Sequence, residues 1–183
     1  MKPYLGAMAV NYEARRINGD KWQREQTIIE DMIAGLDGTV LDVPVGTGRF
    51  ADAYCRRRLT VAGLDLSPDM LAQASGKGFD RLLQGDVMAL PFLDDAFDAA
   101  VCVRLLSWLS WEQALLAIHE LGRVAGTVIL TAPVGRPQIR PNGVFVHNRD
   151  ALLAAALDCG LTVRDDRSYA GKGCDNMVVR LAR

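Results

Sequence analysis

Short apolar runs alternate along the chain with segments in which apolar residues recur at helical spacing. The spacing predicts an amphipathic helix over 22–36, and we expect Gly38 to end it. The apolar runs predict seven strands, at 39–43, 60–66, 81–84, 97–103, 126–132, 161–168 and 177–182. This alternation is typical of an α/β fold. We expect a Rossmann-like, doubly wound, seven-stranded, mostly parallel sheet with an antiparallel closing strand, in three α/β/α layers.

Capping residues mark the starts of the other helices. Ser67 precedes Pro68 and Asp69, a combination that favours a helix start, and we expect Gly76 and Gly78 to end that helix. Further helices are predicted over 49–58, from a Ser110–Gln113 capping box to about 122, and from Asn148 to just before Gly160.

The chain of 183 residues has the size of one domain, and we expect a single domain over 1–183. Its formal net charge of -1 predicts no global attraction to nucleic acid or to an anionic membrane. The four cysteines show no C-x-x-C spacing, so we expect reduced thiols. Without a long apolar window the chain is expected to be soluble and cytoplasmic.

A glycine-containing turn follows the first predicted strand, and three carboxylates come at the ends of successive strands. Gly46 and Gly48 allow the main chain to approach a ligand. Asp42, Asp65 and Asp86 end the first three strands, whose tips meet at one crevice of an open α/β sheet. Asp65 is placed to accept ribose hydroxyls, and Asp86 to accept an exocyclic amine.

The turn suits a cationic ligand better than a dinucleotide. A pyrophosphate needs G-x-G-x-x-G at a helix start, and Ala51 at the third position is compatible with that pattern. Asp42 and Pro44, however, crowd the turn with a carboxylate and a ring. A carboxylate repels pyrophosphate but favours an ammonium group. These features point to S-adenosylmethionine (SAM), an adenosine that carries a charged amino-acid tail.

Four segments resemble the successive motifs of class I SAM-dependent methyltransferases, in that family's order: LDVPVGTGRF, GLDLSPDML, GDVMALPFLDDAFDAAV and ELGRVAGTVILTA. The resemblance covers residues 36–132. It implies methyl transfer from SAM, with S-adenosylhomocysteine (SAH) as product, and a lid segment and helix over residues 1–37. Proline at position 44 departs from the glycine usual in the family.

The resemblance also implies a set of cofactor-binding residues. Asp42 would lie near the amino group, Asp65 at the ribose, Leu66 against the adenine, and Asp86 with the Val87 main chain at the adenine edge. The full implied set is Asp42, Pro44, Gly46, Gly48, Asp65, Leu66, Met70, Asp86, Val87, Val103 and, from the lid, Tyr12 and Arg16.

The acceptor site is less specified. The resemblance places Arg104 beside the methyl group, and the loop after the fifth strand supplies Arg136, Arg140 and His147 as further candidates. Two guanidiniums there could bind a carboxylate or phosphate, or be exposed loop charges. No residue is assigned as general base, and no metal is expected. The N/D-P-P-Y signature of amino methyltransferases is replaced by VRLL, which counts against DNA-adenine and glutamine methylation.

We favour a small-molecule acceptor over a macromolecule. A homodimer in which the second copy closes the site is a further alternative. The alternatives are a non-catalytic SAM-fold subunit that binds a partner and an NAD(P)-dependent oxidoreductase. Several other polar and aromatic residues are interpreted as structural. We expect core packing for Trp108 and Trp111, partial burial for His119, and solvated positions for Asp94, Asp95, Asp98 and Arg56 to Arg58.

Overall fold

The computed structural model describes Gly6, residues 19–171 and residues 173–183. Within these ranges the helices and strands follow one another in the order α1 (Asp20–Ile33), β1 (Thr39–Asp42), α2 (Ala51–Arg57), β2 (Thr60–Asp65), α3 (Pro68–Ala74), β3 (Arg81–Gln84), β4 (Phe97–Cys102), α4 (Trp111–Val124), β5 (Ala125–Val134), β6 (Gln138–Ile139), β7 (Phe145–Val146), α5 (Arg149–Asp158), β8 (Thr162–Ala170) and β9 (Asp175–Ala182). Short 3-10 turns follow β3 and β4.

Seven strands form one sheet in the order β3-β2-β1-β4-β5-β9-β8. The pairs among the first five strands are parallel, and β9 runs antiparallel to both of its neighbours. The predicted mostly parallel sheet with an antiparallel closing strand is therefore confirmed. β1 pairs with β2 on one side and β4 on the other, so the strand order reverses at β1. Such a reversal opens a crevice beyond the carboxyl ends of the strands.

The sheet is covered on both faces because successive side chains of a strand point to opposite sides. In β4, Ala100 and Cys102 join the apolar cluster that contains buried side chains of α4 and α5. Ala99 and Val101 join the cluster that contains those of α1 and α2. This three-layer arrangement leaves the strand tips accessible from the edge of the sheet.

The predicted helix caps are present. The Ser67 hydroxyl accepts the Met70 N–H at 3.2 Å, and the Asn148 side chain accepts the Ala151 N–H at 2.9 Å. Ser110 and Gln113 form the reciprocal capping box. Because these bonds satisfy N–H groups that a helix start otherwise leaves open, they set where α3, α4 and α5 begin.

The end of the first helix differs from the prediction. α1 ends at Ile33, whereas Gly38 lies in the link to β1 with a φ of +76°. A side chain at Gly38 would collide with the Asp98 carboxylate. Asp98, expected to be a solvated turn residue, instead accepts the Thr39 N–H at 2.7 Å and the Thr39 hydroxyl at 2.8 Å. It thereby ties the start of β1 to β4.

A small hairpin was not predicted because its strands have only two residues each. β6 and β7 pair with Gln138 opposite Val146 and Ile139 opposite Phe145. The hairpin is held at the end of β5, where the His147 N–H donates to the Pro133 carbonyl at 2.9 Å. The loop between β5 and α5 is therefore ordered next to the strand tips.

Some exposed groups have partners that the sequence pattern did not indicate. His119 is exposed on α4 rather than partly buried, with its Nδ1 3.2 Å from the Cys159 sulfur. The Asp94 carboxylate accepts from Arg123 at 2.9 Å, and Asp95 pairs with Arg183. In the part of the chain that the structure describes, no helix combines the length and the apolar content needed to cross a membrane.

Gly48 gives a test of the packing between the β1 turn and α3. Its φ is +76°, and a Cβ there would lie 2.9 Å from Phe79 and 3.3 Å from the Ala74 Cα. Gly160 has the same φ of +76°, and a Cβ built on it would meet none of the described residues within 4 Å. We expect Gly160→Ala to lower the free energy of unfolding by about 1 kcal/mol through backbone strain. Gly48→Ala should cost roughly 1–3 kcal/mol more because of overpacking.

Urea denaturation of the two variants beside the wild type measures both effects. Equal losses for the two substitutions would show that contacts at Gly48 do not constrain the turn.

Candidate active site

The turn after β1 is joined to the end of β2 by main-chain and side-chain hydrogen bonds. The Val45 N–H donates to the Leu64 carbonyl at 2.9 Å. The Gly46 N–H donates to Asp65 Oδ2 at 2.9 Å. Since Asp65 is the last residue of β2, this bond fixes the turn directly against the tip of the neighbouring strand.

The Asp65 carboxylate is held in place by hydrogen bonds but can accept more of them. It is 7% exposed, and Oδ1 accepts the Ser67 N–H at 2.8 Å. Burial raises the pKa of Asp65, while the N–H groups of Ser67 and Gly46 act in the opposite direction. Each carboxylate oxygen can accept two hydrogen bonds, so capacity is left on both for a diol.

The two glycines of the turn have different roles. Gly46 has a φ of +55°, and a Cβ built on it would meet none of the described residues within 4 Å. Within the part of the chain that the structure describes, the space beside Gly46 is therefore open to a ligand. Gly48 instead faces Phe79 and Ala74, which leave no room for a side chain. Packing therefore requires glycine at position 48, and the predicted contact of both glycines with the ligand stays a prediction.

Asp42 lies beneath this turn at the end of β1 and is 2% exposed. Among the described residues, no group completes a hydrogen bond to its Oδ2 or to the buried Tyr54 hydroxyl. Burial raises the pKa of Asp42 to about 8; the nearby Tyr54 hydroxyl opposes this shift, and the Asp65 charge adds to it. A buried carboxyl with an unused oxygen is suited to gain from a ligand ammonium group.

Arg104 follows β4 in a conformation unusual for a residue with a side chain. Its φ is +63°, and its N–H donates to the Thr131 hydroxyl at 2.8 Å. Its carbonyl accepts the Ser107 hydroxyl at 2.9 Å. Left-handed backbone in non-glycine residues concentrates at functional sites, where surrounding bonds hold it in place.

A buried carboxylate on α1 holds this region together. Glu25 is 1% exposed, and its Oε2 lies 2.6 Å from both Arg49 Nη1 and Arg104 Nε. Its Oε1 accepts the Tyr169 hydroxyl at 2.5 Å. Burial raises the pKa of Tyr169, and the adjacent Glu25 charge adds to that effect. Glu25 thus joins α1 to the β1 turn, to the loop after β4 and to β8.

Trp22 belongs to the same network. The Arg49 guanidinium carbon lies 3.5 Å from the centre of the Trp22 ring, and that of Arg104 lies 4.8 Å from it. Arg49 also donates to the Trp22 carbonyl at 2.6 Å. Cation–π contacts of this kind add to the ion pairs in fixing the first turns of α1.

A cavity of about 880 Å³ lies against this network, within the size range of small-molecule sites. Its walls come from the start of α1, the ends of β4 and β5, the β6–β7 loop and the β8–β9 turn. The lining residues are Gly19, Asp20, Lys21, Trp22, Glu25, Arg104, Ser107, Trp108, Thr131, Ala132, Pro133, Arg140, Asn142, Val144, Tyr169, Gly171, Cys174 and Asn176.

The family model and the relatives that match this chain all indicate methyltransferases. A family model described as a methyltransferase domain matches residues 41–130. The malonyl-[acyl-carrier protein] O-methyltransferase of Pectobacterium atrosepticum is 34% identical over 91 residues, covering 49% of this chain and 36% of that protein. The C-methyltransferase of ubiquinone and menaquinone biosynthesis of Paracoccus denitrificans is 42% identical over 85 residues, covering 40% of this chain and 33% of that protein.

Residues 41–130 carry a SAM-dependent methyltransferase domain. Among solved structures, the magnesium protoporphyrin IX methyltransferase of Synechocystis PCC 6803 with bound SAM has a TM-score of 0.76 at 17% identity, covering 98% of this chain and 93% of that chain. This likeness shows the shared fold. The chain spans between a third and a half of the length of the curated relatives it matches.

The structure locates the other residues proposed for the cofactor half of the methyltransferase domain. Asp86 caps the 3-10 turn after β3, with its Oδ1 accepting the Met88 N–H at 3.0 Å. Leu66 is half-buried, and its carbonyl accepts Gln84 Nε2 at 3.2 Å. Pro44 follows a cis peptide bond, and three residues are buried in the surrounding core: Met70, Val87 and Val103. Tyr12 and Arg16 lie outside the described residues.

The candidates for the acceptor half separate into two groups. Arg104 and Arg140 line the cavity. Arg136 is exposed and is not among the described lining residues. His147 is 3% exposed, with its Nε2 2.8 Å from the Leu106 carbonyl, and burial lowers the pKa of His147. This geometry gives His147 a role in holding the loop against the 3-10 turn after β4.

Trp108 corrects one prediction. It is 36% exposed and lines the cavity, so the prediction of core packing is wrong for this residue. Trp111 packs against the core cluster of α4 and α5, as predicted. The difference arises because Trp108 lies in the 3-10 turn between β4 and α4, at the mouth of the crevice.

The Glu25 network was not predicted from the sequence. A signal was present, since Glu25 falls on the apolar face of α1, three residues after Trp22 and four before Ile29. A carboxylate at a buried helix position needs a partner of opposite charge. Its partners, Arg49, Arg104 and Tyr169, are far apart in the sequence, and only the fold brings them together.

Removing the charge of Glu25 should strongly destabilise the protein. Glu25→Gln leaves two guanidiniums without their common carboxylate, and we expect a loss of about 3–5 kcal/mol in the free energy of unfolding. The matched control on the same helix is Glu30→Gln, whose partner Arg56 is 61% exposed at 3.0 Å. That change should cost less than about 1 kcal/mol. Urea denaturation measures both, and a small loss for Glu25→Gln would contradict the role of the network.

Asp42 should make stability depend on pH. Its pKa is raised by burial from 3.8 to about 8, so between these values the folded protein holds a proton that the unfolded chain has lost. The free energy of unfolding should therefore fall as pH rises from 5 to 8, by up to about 1.4 kcal/mol per pH unit. Asp42→Asn has no such titration and should show a flatter profile.

The difference between the wild-type and Asp42→Asn denaturation profiles isolates the contribution of this carboxyl. Parallel profiles from pH 5 to pH 8 would show that Asp42 is not protonated in the folded protein.

Proposed function

We propose that this chain transfers the methyl group of SAM to a small molecule that binds in the cavity of about 880 Å³. The observation that carries the proposal is the position of this cavity at the carboxyl ends of β4 and β5. β4 pairs directly with β1, whose turn carries Gly46. The open space at the turn and the cavity therefore lie at the same edge of the sheet, as a two-substrate transfer requires.

The residues at the strand tips fit the cofactor. Asp65 retains acceptor capacity on both oxygens for the ribose hydroxyls, and Gly46 leaves the main chain open to close approach. The unused oxygen of Asp42 favours the cofactor ammonium, and Asp86 with Val87 would face the adenine edge. When bound, SAM supplies an activated methyl group on a positively charged sulfonium.

The protein's own contribution is alignment and exclusion of water. Arg104 lines the cavity and follows β4, so it borders the place where an acceptor would meet the methyl group. The surrounding bonds from Thr131 and Glu25 hold it in one conformation. Orientation of this kind contributes much of the rate in reactions between two bound molecules.

The residues of the cavity, and not those that hold the cofactor, would select which atom of the acceptor is methylated. The Pectobacterium relative is named an O-methyltransferase and the Paracoccus relative a C-methyltransferase, although both are similar to this chain. The Tyr169 hydroxyl donates its hydrogen bond to Glu25 Oε1, and Glu25 Oε2 is paired with two guanidiniums. We therefore give Tyr169 a positioning role, as an acceptor of hydrogen bonds from the bound molecule.

Cofactor binding should depend on Asp65. Asp65→Ala removes the acceptor of both ribose hydroxyls, and each hydrogen bond to a charged group is worth about 1.5–3 kcal/mol. We expect the affinity for SAH to fall by about a hundredfold or more. Asp94→Ala, which removes a carboxylate that is 76% exposed on the protein surface, should bind SAH like the wild type.

Calorimetric titration with SAM, SAH and NAD measures this, with circular dichroism to check that the variant is folded. Unchanged SAH affinity in Asp65→Ala would contradict the ribose role. Binding of NAD in place of SAM would replace the proposed activity by that of an oxidoreductase. Binding of SAM without transfer to any acceptor would favour a non-catalytic binding subunit.

A further inference from the structure

We propose that the molecule methylated in the cavity carries an anionic group, a carboxylate or a phosphate, which the Arg140 guanidinium binds. This inference rests on the proposed function and deepens it by naming the chemical class of the acceptor. It depends on where the hairpin loop places Arg140 and on the balance of charge around the cavity.

Arg140 is presented by a closed turn. Its N–H donates to the Val144 carbonyl at 2.9 Å, and its carbonyl accepts the Gly143 N–H at 2.8 Å. A Cβ built on Gly173 would lie 3.7 Å from Arg140 Nη2, so the guanidinium reaches from the β6–β7 loop to the β8–β9 turn. The residue is half-buried at the cavity wall, which lowers the entropy lost when it binds a ligand.

Arg140 forms no ion pair with the residues that the structure describes. Among the described residues, no carboxylate lies within 4.0 Å of its guanidinium, although other arginines of the domain form ion pairs at this distance. Glu25, the buried carboxylate of the cavity wall, is already bound by Arg49 and Arg104. This buried acid is thus bound by other arginines, and among the described residues Arg140 is available to a ligand anion.

Among the described residues of the wall, the other charges do not offset that of Arg140. Asp20 and Lys21 are exposed neighbours at the start of α1 and offset one another. Glu25 already faces two guanidiniums. A planar guanidinium such as that of Arg140 pairs with a carboxylate or phosphate through two parallel hydrogen bonds.

The body of the acceptor is expected to be planar and apolar. Trp22, Trp108 and Tyr169 all line the same cavity, together with apolar contributions from Pro133 and Val144. Aromatic side chains favour stacked or edge contacts with a ring. An aromatic acid is therefore the simplest probe of the site.

The test compares matched ligands that differ in charge. Benzoate and phenyl phosphate are the anionic probes, and benzamide is the neutral one. Dissociation constants come from ligand-observed NMR titration of the full chain, with and without saturating SAH. We expect at least one anion to bind about tenfold or more tightly than benzamide, as one charge-assisted contact would provide. The two anions distinguish a carboxylate acceptor from a phosphate acceptor.

Two variants on the same loop separate a specific contact from general charge. Arg140→Gln should remove the preference for the anion, and Arg140→Lys should retain part of it. Arg136→Gln removes an exposed arginine outside the cavity wall and should keep the preference. Thermal unfolding of each variant checks that the fold is unchanged.

Several outcomes would overturn the inference. These are equal binding of anions and benzamide by the wild type, no binding of either anion, retention of the preference in Arg140→Gln, or its equal loss in Arg136→Gln. Failure of the proposed function has a different signature. A protein that binds the anions selectively but not SAH contradicts methyl transfer, whereas one that binds SAH without selecting anions contradicts only the acceptor class.

Discussion

The buried Glu25 carboxylate is the contact on which the acceptor half of the site depends. It lies 2.6 Å from two guanidiniums that come from different loops at the strand tips. A charge removed from water in this way is tolerated only because its partners are held in place by the sheet. In return, the carboxylate positions α1, Arg104 and Tyr169, which form much of the cavity wall. Disturbing Glu25 would therefore change the shape of the cavity as well as the stability of the fold.

The proposed site is divided into two halves with different physical origins. The cofactor half is built from strand ends and main-chain groups, such as the Gly46 N–H bound to Asp65. Its geometry follows from the register of neighbouring parallel strands. The acceptor half is built from α1, the β6–β7 loop and the β8–β9 turn. Segments outside the matched region 41–130 thus supply most of the residues that would distinguish one acceptor from another.

Relatives with different acceptors each match only part of the chain, and the family model covers residues 41–130. That region contains the turn, the strand-end carboxylates and β4, to which we assign the cofactor. The wall proposed to contact the acceptor includes residues such as Trp22, Arg140 and Tyr169, which lie before or after that region. The fold shared with solved methyltransferases says little about the acceptor for the same reason.

The sequence by itself determined the order of strands and helices, the helix starts and the family of the domain. These are local properties: apolar periodicity, caps at Ser67, Ser110 and Asn148, and a glycine turn beside strand-end carboxylates. Only the tertiary structure decided that Gly48 packs against α3, that His147 holds a loop, and that Trp108 faces a cavity. Glu25 meets Tyr169 across 144 positions of sequence. Contacts of that kind leave little periodic signal, because they depend on which strand tips the sheet places side by side.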